Sequence, residues 1–338
     1  MSIKRNGVIL TGLLFATGLP IAQADRLEDV KKSGEIVCGV NQGLPGFSAV
    51  DDEGNWKGID ADYCRALAAA VYGDSSKIKF RPLSSKERFT ALQSGEVDVL
   101  ARNTTWTQSR DTALGLNFIG VNFYDGQGFI VKQSLGVDSV KQLDGAVICA
   151  GSGTTTELNV ADYFRTENLK YEIVTFEKVE EVIAAYEAGR CDSMTADRTA
   201  LYANRTKMSK PAENIVLPEV ISKEPLGPAV IQGDDGWFNV ARWTLFCMIN
   251  AEELGVSSEN VAAMSKTENP SIKRLLGQEG KSGENLNLSA DWCANIIEQV
   301  GNYGESFDRN LGTAPLNIDR GINALWNAGG ILYAPPVR

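Results

Sequence analysis

Three observations predict an α/β fold of two similar lobes for this chain of 338 residues. A helix, a glycine turn, a short strand and a polar loop follow one another in residues 88–111, and the same order returns in residues 180–199. Extended stretches marked by glycine or proline lie at residues 129–131 and 221–232. The length also favours two lobes, because a single hydrophobic core rarely grows beyond roughly 250 residues.

The two extended stretches are expected to form a two-strand hinge, since little packed structure must break when such strands flex. The second lobe is then an insertion within the first. The predicted division is lobe 1, residues 25–129 and 226–338, and lobe 2, residues 130–225.

The first 24 residues are predicted to be a secretory signal peptide outside this fold. Lys4 and Arg5 give a basic start, residues 7–19 are largely apolar, and Ala22 and Ala24 occupy the −3 and −1 positions of a cleavage site. The alternative is a membrane anchor, but about 13 apolar residues are too few to span a bilayer. No later run approaches the roughly 18 apolar residues of a membrane helix.

Composition excludes several classes of function. Cleavage would take Lys4 and Arg5 from 33 Lys and Arg, leaving 31 against 43 Asp and Glu, a net charge of −12. Such an acidic chain without a basic cluster is a poor partner for nucleic acid or an anionic membrane. The chain has no histidine, which excludes Ser-His-Asp and Cys-His hydrolysis and removes the commonest metal ligand. No catalytic residue, metal site or cofactor is therefore predicted.

Hydrophobic periodicity predicts the elements of the two lobes in order. In lobe 1 these are a strand at 34–40, a Gly/Pro loop at 41–47, a helix at 59–72, a strand at 77–82, a helix at 86–93 and a strand at 97–100. Lobe 2 begins with a strand at 143–150, and a helix at 237–254 opens a mostly helical region that packs on lobe 1.

Six cysteines in an exported chain indicate disulfides rather than a metal site, because no C-x-x-C spacing occurs. Sequence alone allows 15 pairings of six cysteines. Their positions on neighbouring predicted elements favour Cys38–Cys64, Cys149–Cys191 and Cys247–Cys293. The alternative is that some of these thiols are free and buried.

The polar loops after the two repeated strands carry opposite charges. Arg110 follows the first strand and Asp197 ends the second. Ligands of open parallel α/β sheets bind beyond the carboxyl ends of the strands, so the pair suits a small dipolar molecule. The alternatives are ion pairs of Arg110 with Asp111, and of Asp197 with Arg198.

A helix start is predicted at residues 152–157, with a capping box between Thr154 and Glu157. The unpaired N–H groups and the positive end of the helix dipole would then face a ligand carboxylate, with Thr155 in contact. The alternative is an ordinary helix cap, and both can hold at once.

Three segments carry a family resemblance that extends over the whole mature chain: GEIVCGVNQGLPGFS (34–48), LQSGEVDVLARNTTWTQSRD (92–111) and AGRCDSMTADR (188–198). The chain resembles the ABC-transporter periplasmic solute-binding proteins of the polar amino-acid type. It is most similar to the branch that binds general L-amino acids or glutamate, glutamine, aspartate and asparagine. The resemblance implies a type II periplasmic-binding-protein fold, a periplasmic location, a free L-amino acid ligand held by hinge closure, and permease and ATPase partners.

The resemblance also implies roles for individual residues. Thr105 and Arg110 match the residues that hold the ligand α-carboxylate, together with the helix start at Thr154 and Thr155. Asp197 matches the aspartate that takes the α-ammonium, helped by the carbonyl of Asn103.

Side-chain selectivity is assigned to a polar distal pocket. Its candidates are Arg88, Arg102, Asn41, Gln42, Ser85 and Lys86. Arg88 matches an arginine that meets side-chain carboxylates in related proteins, whereas Arg102 has the alternative of pairing with Asp98 or Asp111. An exported, dehydratase-like enzyme on the same scaffold is the alternative function.

Overall fold

The computed structural model describes residues 25–338. The predicted signal peptide, residues 1–24, lies outside the described residues. The strands are β1 (Ile36–Asn41), β2 (Ala49–Val50), β3 (Trp56–Lys57), β4 (Ile78–Leu83), β5 (Val99–Leu100), β6 (Leu116–Phe118), β7 (Phe123–Asp125), β8 (Gln127–Lys132), β9 (Ala146–Gly151), β10 (Tyr171–Phe176), β11 (Ser193–Asp197), β12 (Asn214–Val216), β13 (Glu224–Leu226) and β14 (Ala229–Ile231).

The helices surround two sheets built from these strands. They are α1 (Arg26–Ser33), α2 (Ile59–Tyr72), α3 (Arg88–Gln93), α4 (Gln108–Thr112), α5 (Thr155–Thr166), α6 (Val179–Glu187), α7 (Arg198–Arg205), α8 (Asp235–Glu253), α9 (Val261–Met264), α10 (Pro270–Leu275), α11 (Ser282–Asn285), α12 (Trp292–Gln299) and α13 (Tyr303–Phe307). None of these helices is long and apolar enough to cross a bilayer.

The two main sheets have five strands each and the same topology. The first runs β4-β1-β5-β14-β6 and the second runs β10-β9-β11-β8-β12. In each sheet three strands are parallel and a fourth, β14 or β8, pairs antiparallel with its neighbours. This arrangement confirms the predicted bilobal α/β architecture.

The sheets are joined by the antiparallel pair of β7 and β13. Residues 129–131, predicted as the first crossover, lie instead inside β8 of the second sheet. They are apolar because they are buried in that sheet, as Phe129 and Val131 are fully buried. We therefore propose that the lobes divide at the β7–β13 pair, a few residues before the predicted boundary at 129.

Each lobe has its own hydrophobic core, and the C-terminal helices enlarge the first one. Helix α2 begins and ends as predicted, and Gly73 ends it in the left-handed conformation, which glycine adopts readily. Trp237 of α8 and Trp292 of α12 are fully buried against α2 and its neighbours. Lobe 1 thus has the larger hydrophobic core of the two.

Three disulfides connect neighbouring elements, and they are the pairs favoured by the sequence. Cys38 of β1 bonds Cys64 of α2, Cys149 of β9 bonds Cys191 before β11, and Cys247 of α8 bonds Cys293 of α12. No free cysteine remains in residues 25–338.

Candidate ligand cleft between the lobes

The carboxyl ends of both sheets face a narrow cleft that contains two adjoining chambers. The inner chamber has a volume of about 80 Å³. Lobe 1 contributes Ser85, Arg88, Arg102, Asn103 and Thr105 to its wall, and lobe 2 contributes Thr154, Thr155, Thr156, Ala196, Asp197 and Ala200.

The outer chamber has a volume of about 110 Å³ and shares part of its wall with the inner one. Its own wall is both polar and apolar. It includes Asn41, Gln42, Leu44, Glu177, Val179, Val182, Met194 and Asn204. Ten of the twelve residues predicted as ligand contacts line one chamber or the other; Arg110 and Lys86 line neither.

A buried carboxylate holds the loop after β5 in place. Asp60 accepts hydrogen bonds from the backbone N–H of Asn103 at 2.7 Å and from the Nδ2 of Asn122 at 2.9 Å. Burial raises the pKa of Asp60 to about 6, against the effect of these two donors. Asn103 adopts a φ of 35° and also accepts a bond from Asn41 Nδ2 at 2.9 Å. Asn41 and Asn103 are therefore positioned before any ligand arrives.

Arg88 brings an incompletely paired guanidinium to the inner chamber. It is 3% exposed, and its Nη2 donates across the cleft to the carbonyl of Gly153 at 3.4 Å. Its Nε is buried without a hydrogen-bond partner in the part of the chain that the structure describes. Burial, followed by the charges of Arg102 and Arg110, holds the pKa of Arg88 well below its usual range. Such a group requires an anion.

Arg110 lies directly behind Thr105. Its Nη1 donates to the carbonyl of Thr105 at 2.8 Å, and its guanidinium stacks 5.1 Å from the centre of the Phe89 ring. Burial lowers the pKa of Arg110, and the charges of Glu224 and Asp197 oppose that shift. The charges that act on Arg110 are therefore those of Glu224 and Asp197 rather than that of Asp111, and direct ligand contact stays a prediction.

Arg102 is held by the backbone rather than by the carboxylates of Asp98 or Asp111. Its Nε donates to the carbonyl of Leu83 at 2.9 Å, while Asp98 pairs with Arg26. Burial lowers the pKa of Arg102 to about 10, and the charge of Asp60 opposes that shift. Since Arg102 lines both chambers, its charge faces the whole cleft.

The start of α5 forms the opposite wall, but the predicted capping box is wrong. Thr154 makes no side-chain cap and instead donates from Oγ1 to the carbonyl of Gly151 at 2.8 Å. Glu157 accepts from the backbone N–H of Gly153 at 3.0 Å. Glycine suits this turn because its φ is +73°, and because a Cβ at position 153 would lie only 3.1 Å from Lys86 Cγ and 3.4 Å from the Lys86 backbone nitrogen in lobe 1.

Asp197 ends β11 and faces the arginines from the other lobe. Burial raises the pKa of Asp197 well above its usual range, and the charges of Asp125 and Glu224 raise it further. Arg88 and Arg110 act in the opposite direction. The Asp197 side chain makes no capping bond to α7 and lines the inner chamber, so it offers an acceptor there.

Glu224 is a site residue that sequence reasoning missed. It lies in β13, is 1% exposed, and its Oε2 accepts bonds from the hydroxyls of Thr105 at 2.6 Å and Thr155 at 3.0 Å. Its Oε1 accepts from Asn159 Nδ2 at 2.6 Å. The sequence did contain one indication of this role. Glu224 is an acidic residue within the extended stretch 221–232, and a strand that only connects two lobes does not need an acid.

Contacts across the cleft describe a closed arrangement. Ser84 Oγ donates to Glu177 Oε1 at 3.1 Å, and Lys207 Nζ donates to the carbonyl of Gly43. The Oγ1 atoms of Thr105 and Thr155 are 3.5 Å apart. Within residues 25–338 no group of three acidic or cysteine side chains is arranged to hold a metal ion.

Comparisons with known proteins find a matching family and similar proteins. The family described as bacterial extracellular solute-binding proteins, family 3, matches residues 36–224. The chain is 58% identical to the general L-amino acid-binding periplasmic protein AapJ of Rhizobium johnstonii, over all of both chains. It is 49% identical to the glutamate/glutamine/aspartate/asparagine-binding protein BztA of Rhodobacter capsulatus, over 99% of this chain and 100% of the relative.

A solved structure is similar over nearly the whole chain. It is the ABC-transporter periplasmic binding protein from Brucella ovis with glutathione bound, at 56% identity and a TM-score of 0.91, covering 93% of this chain and 100% of that one.

Proposed function

The chain belongs to the bacterial extracellular solute-binding proteins, family 3, and from this membership we propose that it captures free L-amino acids for an ABC transporter. The relatives named for general L-amino acids and for glutamate, glutamine, aspartate and asparagine support this ligand class. Acidic and amide amino acids are the preferred ligands within a broader range. The periplasmic relatives also support a periplasmic location, reached through the predicted signal peptide.

One observation carries the proposal: opposite buried charges from different lobes line one small chamber. Arg88 brings an unpartnered N–H from lobe 1, and Asp197 brings a free carboxylate from lobe 2. Buried charges are costly unless they are paired. An amino acid supplies its ammonium to Asp197, and its α-carboxylate and side-chain oxygens to the arginines of lobe 1, so it satisfies both walls.

The hydroxyls beside Asp197 favour the ammonium. Glu224 accepts the protons of the Thr105 and Thr155 hydroxyls. A hydroxyl that donates its one proton elsewhere can only accept further hydrogen bonds. Two acceptor oxygens and the Asp197 carboxylate therefore form an environment for the ligand's α-ammonium.

The carboxylate end is assigned to the arginines of lobe 1 and to the start of α5. A guanidinium gives two parallel donors to a carboxylate, and the Nη2 of Arg110 is available beyond the bond that Nη1 makes. The N–H groups at the beginning of the twelve-residue helix α5 add donors from lobe 2. Arg88 and Arg102 remain for an acidic or amide side chain.

Closure follows from this division of charges between the lobes. A ligand that meets both walls only in the closed form stabilises that form. Moving a two-state equilibrium from 1:99 to 99:1 takes about 5.5 kcal/mol of preferential binding, which a paired ammonium and a bidentate carboxylate can together supply. The membrane permease of the transporter then receives the ligand from the closed receptor.

A second candidate ligand comes from the Brucella ovis structure, which holds glutathione. Glutathione begins with a glutamate linked through its side-chain carboxyl, so its α-ammonium and α-carboxylate match those of a free amino acid. The outer chamber adjoins the inner one, so the remainder of such a peptide would extend into the outer chamber. The relatives are binding proteins, so the enzyme alternative is not retained.

A thermal-shift panel of the L-amino acids, matched D-glutamine and D-glutamate, and glutathione tests the proposal. Binding to the folded state at 100 times Kd stabilises it by about 2.7 kcal/mol. L-glutamate and L-glutamine are expected to raise the melting temperature, with smaller effects of their D-forms, and to be recovered unchanged. If no L-amino acid shifts the melting temperature, the proposed function is wrong.

A further inference from the structure

Asn323, near the carboxyl end of the chain, makes a paired contact with the backbone of the hinge strand β7. Its Oδ1 accepts from the backbone N–H of Tyr124 at 2.7 Å, and its Nδ2 donates to the carbonyl of Tyr124 at 3.0 Å. Asn323 is 5% exposed, so both bonds are shielded from water. It lies outside residues 36–224, the part of the chain that the family matches.

The side chain of Asn323 takes the place that a third strand would have beside β7. Pro225 lies opposite Tyr124 in the β7–β13 ladder, and proline has no backbone N–H to donate. The carbonyl of Pro225 accepts instead from the N–H of Trp106, in the lobe 1 loop after β5. The backbone groups of Tyr124 therefore bond on the other edge of the pair, where Asn323 satisfies both of them.

Asn323 is itself held by lobe 1. The Nη2 of Arg320 donates to the carbonyl of Asn323 at 3.0 Å, and the Nη1 of Arg320 lies 3.0 Å from Oε1 of Glu252 in α8. Tyr303 of α13 adds a second tie, because its hydroxyl donates to the carbonyl of Asn122, just before β7, at 2.7 Å. The first part of β7 is thus bonded to the C-terminal elements of lobe 1.

The next residue of β7 is bonded to lobe 2. The Oδ2 of Asp125 accepts from the backbone N–H of Thr199 in α7 at 3.2 Å. The N–H of Arg198 donates to the carbonyl of Gly126 at 2.8 Å. Because Tyr124 is bonded to lobe 1 and Asp125 to lobe 2, β7 can bend between these two residues without losing either set of bonds.

We propose that Asn323 is a positioning residue for lobe closure, which fixes the first hinge strand to lobe 1 and confines its bending to the link between Tyr124 and Asp125. A hinge with few open arrangements loses less conformational entropy when a ligand closes it. Without Asn323 the open form gains arrangements that the ligand-bound form does not have, so closure costs more for every ligand. This role rests on the proposed capture of amino acids and concerns the hinge rather than the ligand contacts.

Small-angle X-ray scattering without ligand, and calorimetry with L-glutamine and L-glutamate, test this role. Asn323→Ala is expected to increase the radius of gyration of the unliganded protein and to leave that of the liganded protein unchanged. Both affinities are expected to fall by the same factor, about three- to tenfold, the effect of roughly one hydrogen bond on an equilibrium. Asn323→Asp keeps the acceptor for the Tyr124 N–H and is expected to cause smaller changes in the same directions.

Asn250→Ala is the matched control. Asn250 of α8 is 7% exposed, and its Nδ2 donates to the carbonyl of Pro335 at 2.9 Å, so it also ties the end of the chain to lobe 1. Within residues 25–338 its side chain bonds only to the carbonyls of Phe246 and Pro335, not to a hinge strand. Its loss is expected to lower the melting temperature while the radius of gyration and both affinities stay as in the wild type. A purely structural role of Asn323 would give this same pattern.

An unchanged or smaller radius of gyration in unliganded Asn323→Ala, or a loss of affinity that differs between glutamine and glutamate, overturns the assignment. If the alanine variant does not fold, the same two measurements on Asn323→Asp decide. A wild-type protein that binds neither amino acid overturns the proposed function instead, and the scattering of the unliganded proteins then still decides whether Asn323 restrains the hinge.

Discussion

The two walls of the cleft differ in charge and in how they are held. The lobe 1 side carries Arg88, Arg102 and Arg110. The last two donate to backbone carbonyls of their own lobe, whereas Arg88 donates to the carbonyl of Gly153 in lobe 2. The opposite wall and the hinge carry Asp197 and Glu224, and the pKa of Asp197 is raised by burial and by neighbouring acids. Each wall alone is an accumulation of like charge. A dipolar ligand relieves both accumulations at once, because its ammonium pairs with the acids and its carboxylate pairs with the arginines.

Asp197→Asn is expected to have the largest effect, because it removes the carboxylate that lobe 2 contributes to the wall of the inner chamber. Truncating one partner of a buried charge pair typically costs 2–5 kcal/mol, so affinity for every amino acid is expected to fall about 100-fold or more. The unliganded protein should melt no lower than the wild type, because a buried charge has been removed. Calorimetry and unliganded melts check both statements, and retained affinity would contradict the role.

The arginines of lobe 1 are expected to contact different parts of the ligand, and two alanine variants test this assignment. Arg110→Ala is expected to weaken all amino acids about equally, by about 30-fold or more, because the α-carboxylate is common to them. Arg88→Ala is expected to weaken glutamate and glutamine more than alanine, because Arg88 faces the side chain. A displacement series with these three ligands measures the pattern. An equal loss of affinity for all three ligands in Arg88→Ala would contradict this assignment and would place Arg88, rather than Arg110, at the α-carboxylate.

Much of this arrangement could be predicted because its signals are local. The glycine turn, short strand and polar tip occur within about twenty residues in each lobe, and topology then brings Asn103 and Asp197 to one cleft. The missed features depend on distant partners. The role of Glu224 depends on the pairing of β13 with β7, about a hundred residues earlier in the chain. Thr154 makes no cap because its hydroxyl donates to the carbonyl of Gly151, while Glu157 accepts from the N–H of Gly153.

Glu224→Gln tests how much the negative charge of Glu224, in the hinge strand β13, contributes to ligand affinity. The amide keeps the size and can still accept from one hydroxyl, but it removes a charge and returns donor capacity to Thr105 or Thr155. Affinity is expected to fall about tenfold, consistent with a charge-assisted hydrogen bond of roughly 1.5 kcal/mol. Asn159→Ala is the control, because it removes a partner of the same carboxylate but no charge. An equal loss in both variants would mean that packing at Glu224, rather than its charge, supports binding.

Lowering the pH is the mildest way to weaken the anionic wall, and it should move affinity and stability in opposite directions. Burial raises the pKa of Asp125 to about 6 and raises that of Asp197. An unfolded aspartate keeps a pKa near 3.9, so the folded protein binds more protons between about pH 4 and 6. This contribution to stability is present at low pH and is lost as the pH rises through about 6.

When the pH is lowered from 7.5 to 5.5, protonation of these two aspartates is therefore expected to raise the melting temperature of the unliganded protein. Affinity for glutamine, whose own groups do not titrate in this range, is expected to fall about three- to fivefold, because a protonated carboxyl no longer pairs with the ammonium. Asp125→Asn is expected to reduce the pH dependence of both the melting temperature and the glutamine affinity, because it removes one of the two interacting acids. An affinity that stays constant over this range would mean that the carboxylates facing the ligand remain ionised throughout, and that the arginines of the opposite wall already neutralise them before a ligand binds.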